Sequence, residues 1–146
     1  MSSLEHAISL CATAYAGRLT KSGSPAILHP LRLMMDMQTN DERIVAMLHD
    51  LCYDCPEWTV ERLAAEGFSV EVMDGIDAVT MRDGEPRAGF IARVAANELA
   101  RRVKLAELIA VRDAIPRPPR TDYEKDRLDL CDREIPLLQR AEVAPQ

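Results

Sequence analysis

Val45-Ala46-Met47-Leu48-His49-Asp50-Leu51 is the stretch on which the reading of this chain turns. Apolar residues fill it almost without a break, so it is expected to be buried. A histidine and an aspartate then follow side by side. Two ionisable groups at the end of an apolar helix are costly unless something pairs with them. A metal ion is the usual partner of an imidazole and a carboxylate together. The alternative is a hydrogen-bonded core histidine beside an aspartate that caps the next turn.

The chain has 146 residues, 47% of them hydrophobic, enough for one domain (residues 1–146) with a real core. A net charge of -6 argues against binding a nucleic acid polymer or a membrane surface, both of which need a basic face. A small phosphate-bearing ligand needs only a local basic spot. There is no membrane-length apolar run and no signal-peptide core, which predicts a cytoplasmic protein. Cys11, Cys52, Cys55 and Cys131 are then expected as thiols. Cys52 and Cys55 form a Cys-x-x-Cys, but no second pair follows at zinc-ribbon spacing.

Around the opening stretch the apolar residues keep helical spacing. Ser2 with Glu5 reads as a capping box for a first helix, whose face is Leu4, Ala7, Ile8, Cys11, Ala14 and Tyr15. A polar Gly/Ser/Pro loop follows and carries Lys21. Pro30 suits the first turn of a second helix, which puts His29 at its entrance. Asn40 or Asp41 is expected to cap a third helix with Ile44 to Leu51 as its body. Pro56 forces the chain out of it. Thr59 and Ser69 open two further helices. Phe90, Ile91 and Val94 mark a short one, and Leu99, Val103, Ala106, Ile109 and Ala110 a longer one. Thr121 with Glu124 opens the last. No segment alternates with period two. The predicted fold class is all-α, six to eight helices packed around the third.

Glu107 lies at the edge of the apolar face of the longer helix. His29, His49, Asp50 and Glu107 would thus bring two imidazoles and two carboxylates from three helices. Such a mixed set suits Mn, Fe or a similar divalent ion, with positions left open for water.

At these residues the sequence resembles the HD-domain phosphohydrolases. More narrowly, it resembles the hydrolase domain of the RelA/SpoT alarmone enzymes and their small stand-alone relatives. The likeness is carried by Lys21-Ser22-Gly23-Ser24-Pro25-Ala26-Ile27-Leu28-His29-Pro30-Leu31, by Ala46-Met47-Leu48-His49-Asp50 and by Val103-Lys104-Leu105-Ala106-Glu107, within a span from about Leu4 to Asp113. The resemblance implies a helical fold and a divalent metal, typically Mn, on His29, His49, Asp50 and Glu107. It also implies hydrolysis of the 3′-pyrophosphate of a guanosine tetraphosphate-like nucleotide. Glu107 stands where the family usually has aspartate. Tyr53-Asp54 stands where it has a Glu-Asp pair that orients and activates the attacking water, which leaves Asp54 for that role. Lys21, eight residues before His29, is the expected phosphate contact. Its alternative is a solvated surface lysine. Because a tyrosine is a poor base at neutral pH, a second expectation stands beside the enzyme: a relative that binds metal, nucleotide or a protein partner without turnover.

Overall fold

The computed structural model describes residues 1–143. Among them the chain forms nine helical segments: α1 (Leu4–Ala14), α2 (Leu28–Met35), α3 (Asn40–Leu48), α4 (Leu51–Asp54), α5 (Val60–Ala64), α6 (Val70–Val79), α7 (Arg87–Ala96), α8 (Glu98–Ala114) and α9 (Asp122–Val143). Only α4 is a single turn, so eight are longer than that. The all-α class is therefore the observed one. The described residues contain no strand, only an isolated bridge between Leu19 and Pro25.

α3 is the axis of the packing. Ile44, Val45, Ala46, Met47 and Leu48 are all buried, as is Leu51 beyond them. α1, α2, α6 and α8 pack around α3, while α9 closes over α8 and α7. One hydrophobic cluster draws on all these helices, from Ala7 and Cys11 of α1 to Ile135 and Leu138 of α9. Gly75 permits the closest approach, since a Cβ there would lie 3.1 Å from Leu99 Cβ and 3.2 Å from Val45 Cγ2.

Two caps differ from the sequence expectation. Ser3, not Ser2, caps α1 and accepts from the His6 N–H. Ser2 turns away, and its hydroxyl donates to the Glu66 carbonyl. Thr39, rather than Asn40 or Asp41, caps α3, in a reciprocal capping box with Glu42. Thr39 has the extended backbone that a cap requires. Thr59 and Ser69 cap α5 and α6 as expected.

The third predicted helix is also not continuous to Leu51. It ends at Leu48 and restarts as α4, with His49 and Asp50 between. Side chains engage the carbonyls at the break. The Ala46 carbonyl accepts from His49 Nδ1 at 2.6 Å, and the Met47 carbonyl from the Cys11 thiol at 3.2 Å. In an unbroken helix these two carbonyls would accept from Asp50 and Leu51.

Candidate metal centre

Three pieces of backbone supply the convergent groups. His29 sits in the first turn of α2, His49 and Asp50 at the break after α3, and Glu107 in the middle of α8. One donor atom from each of the four lies within 4.8 Å of all the others. Among the described residues they are the one such group of three or more that could hold a metal ion. His49 Nε2 is 2.7 Å from Glu107 Oε2 and 3.1 Å from Asp50 Oδ2. His29 Nε2 is 3.1 Å from the same glutamate oxygen, 3.5 Å from Asp50 Oδ2 and 3.3 Å from His49 Nε2.

The hydrogen-bonding roles show what this convergence means. A carbonyl only accepts, so His49 Nδ1 donates its proton to Ala46 O. In the neutral ring Nε2 is then a lone pair, aimed at carboxylate oxygens that are lone pairs too. Metal-ligating histidines are oriented in this way, by a hydrogen bond from the other ring nitrogen. The arrangement needs positive charge at its centre, from protons or from a cation. Two neutral imidazoles with two carboxylates carry a charge that a divalent ion matches, so the donor set fits one.

The titration behaviour carries the same signature. Hydrogen bonds with Asp50 and then Glu107 raise the His29 pKa to about 9, against desolvation. Burial opposes charge on His49 most strongly, yet Asp50 and Glu107 outweigh it and raise its pKa to about 10. Burial also opposes the charge on Asp50 and Glu107. Their hydrogen bonds to the two histidines still hold both below the usual carboxylate range.

The four residues form one wall of a cavity of about 390 Å³. Another part of its lining is basic: Arg87 from α7, Lys104 from α8 and Arg127 from α9. Arg87 forks onto buried Glu134 at 2.9 and 2.8 Å, and Lys104 Nζ bonds Glu107 Oε1 at 2.7 Å. Arg127 has no ion pair among the described residues. Phe90, Met81 and Val79 add an apolar patch. This basic lining was missed by the sequence reading. Lys104 had a legible signal, one helical turn before Glu107. Arg87 and Arg127 had none, because only the packing of α7 and α9 on α8 brings them there.

The remaining predicted residues lie outside this convergence. Lys21 is exposed at the tip of a turn tied by Thr20 N–H to Ser24 O and Gly23 N–H to Thr20 O. It lines neither this cavity nor its neighbour. The neighbour, of about 510 Å³, shares His29 in its lining and is lined also by Tyr15, Arg18 and Asp54. There Asp54 accepts from the hydroxyl of buried Tyr15 at 2.8 Å, and its carbonyl accepts from Arg18. Tyr53 reaches the first cavity but is 79% exposed. Cys55 is buried and donates weakly to Ala14 O at 3.7 Å. Cys52 joins no group of three donors among the described residues.

No protein-family model matches the chain, and no curated protein is significantly similar to it. The likeness to HD-domain proteins thus rests on the motif residues alone. No described helix is long and apolar enough to cross a membrane.

Proposed function

We propose that this protein is a metal-dependent phosphohydrolase acting on a phosphorylated nucleotide, of the kind that carries a 3′-pyrophosphate. The observation that carries this reading is the juxtaposition in one cavity of four convergent N/O donors with three cationic side chains. His29, His49, Asp50 and Glu107 would hold a divalent ion, with Mn the choice that suits the donors and the resemblance. The ion would supply Lewis acidity, neutralising charge on a phosphate and favouring ionisation of water. The chain's own residues do the rest. Arg87, Lys104 and Arg127 offer donors to phosphate oxygens, Arg127 with no ion pair among the described residues. The patch at Phe90 offers an apolar surface to a base or sugar. Asp54, the carboxylate assigned to orient or accept a proton from the attacking water, would have to leave the Tyr15 hydroxyl and turn from its own cavity to do so.

The test is release of pyrophosphate from guanosine 3′,5′-bis(diphosphate) by the purified protein, with and without chelator. Chelator-sensitive release is expected. Metal-independent release, or none from a protein loaded with Mn, would overturn the reading.

One observation favours binding without turnover: Asp54 is already committed to Tyr15, and exposed Tyr53 stands where a second acid would help. Tyr53→Glu separates the two readings. If the site is a slow enzyme, the rate rises by about 10-fold or more, since a positioned acid or base contributes roughly 10²–10⁴. If it is a binding module, no release appears in either protein.

A further inference from the structure

We propose that Lys104 is a positioning residue for the metal centre. It holds one oxygen of Glu107 so that the other alone faces the histidines. The inference rests on the metal-site reading above and adds a role for a residue that is not itself a ligand.

The two oxygens of Glu107 are divided between two tasks. Oε2 lies 2.7 Å from His49 Nε2 and 3.1 Å from His29 Nε2. Oε1 accepts from Lys104 Nζ at 2.7 Å. Lys104 is one helical turn before Glu107 on α8, where residues three apart are neighbours. Both side chains are largely buried. The ammonium also lies 5.6 Å from the centroid of the Phe90 ring, within reach of a cation–π contact. Phe90 belongs to α7, so Lys104 is gripped by two helices and is not free to follow the carboxylate.

A glutamate needs such a grip. It has one more side-chain torsion to immobilise than an aspartate, and it can swing between one-oxygen and two-oxygen coordination. With Oε1 tied back, only Oε2 faces the histidines. Groups that orient ligands in this way typically change metal affinity by ~10–100-fold when removed.

A positioning role and simple electrostatics predict opposite signs. An ammonium beside a cation site repels the incoming ion. By charge alone, removing it tightens metal binding. If positioning dominates, removing it loosens binding.

The experiment uses the full chain stripped with chelator. Mn²⁺ is titrated by calorimetry, and Co²⁺ by its visible absorption, which reports ligand geometry. Lys104→Met keeps the length and apolar stem without the donor. It is expected to weaken Mn²⁺ binding by about 10-fold or more and to alter the Co²⁺ spectrum. Lys104→Gln keeps an N–H donor without the charge, and is expected to stay within about 3-fold of the unaltered protein. Should Lys104→Met not fold, Lys104→Ser is too short to reach Oε1 and should show the same loss. Unchanged or tighter Mn²⁺ binding in a folded donor-less variant, with an unchanged Co²⁺ spectrum, overturns the proposal. Failure of the unaltered protein to bind either ion is a different result, and overturns the metal-site reading itself.

Discussion

The residues fixed by the packed core and those carried by the exposed segments beside it behave differently. His29, His49, Asp50 and Glu107 project from α2, from the break between α3 and α4, and from α8, and they meet within 4.8 Å. Lys21 in its exposed turn, and Cys52 to Cys55 in and just after the single-turn α4, are as rich in chemistry but scatter. Lys21 faces solvent, Tyr53 stands exposed, Asp54 finds Tyr15, and Cys55 points into the core. A packed helix has its axis and rotation set by the core, so every side chain leaves it in a determined direction. A turn directs each side chain to whatever partner is nearest. Ligand-like spacing in sequence is therefore informative when segments fixed by the core carry it, and weak when an exposed turn or a single-turn helix does.

The largest expected effect breaks this contrast if it fails. His49→Ala should lower Mn²⁺ affinity by more than about 100-fold, beyond the range for residues that only orient a ligand. Cys52→Ser should leave it unchanged within about 2-fold, because Cys52 has no convergent partners among the described residues. Metal analysis of both purified variants checks the pair, and loss of metal in Cys52→Ser alone would move the site to the Cys52–Cys55 segment.

One basic residue of the cavity sharpens the contrast at the level of ligand binding. Arg127→Ala, on α9, should weaken nucleotide binding by about 10-fold at low salt, with a smaller effect at high salt. Metal content should stay unchanged. Calorimetric titration with a 3′-pyrophosphate nucleotide measures this.

A third prediction concerns pH. Asp50 and Glu107 raise the pKa values of His29 and His49 from 6.5 to about 9 and about 10. A raised histidine contributes stability that is fully present below its unfolded value and lost as pH climbs through its folded value. Asp50 and Glu107 are depressed, so their contribution is present above the ordinary carboxylate range and lost in acid. The metal-free protein should therefore melt highest between about pH 4 and 6.5 and weaken towards pH 9. Metal binding releases those protons, so the rise in melting temperature on adding Mn²⁺ should grow from pH 6.5 to 9. An equal rise at both pH values would show that the histidines are not the ligands.

The smallest effect is expected at the turn. Lys21→Ala should change nucleotide affinity by about 2-fold or less, the behaviour of a solvated surface charge. A loss as large as that of Arg127→Ala would mean that the turn closes over the ligand, and would erase the contrast.

Much of this was legible in the sequence because it is local. The three- and four-residue recurrence of apolar side chains from Leu4 to Tyr15 and from Leu99 to Ala110 determines helices, and no stretch offers the alternative period of a strand. The buried run ending in His49-Asp50, with His29 beside a helix-opening proline and Glu107 at the edge of an apolar face, determines which donors are available. The tertiary structure alone decided the rest. The break after Leu48 coincides with side chains of His49 and Cys11 reaching carbonyls of α3, a competition that involves a residue 36 positions away. The basic lining depends on α7 and α9 lying against α8, and neither Arg87 nor Arg127 stands in a pattern that announces it. The division of Glu107 between Lys104 and the histidines is set by the distances at which α2, α3 and α8 pack. Residue types and their local period are written in the chain, but the direction in which a side chain leaves its helix, and what it meets there, are properties of the packed core.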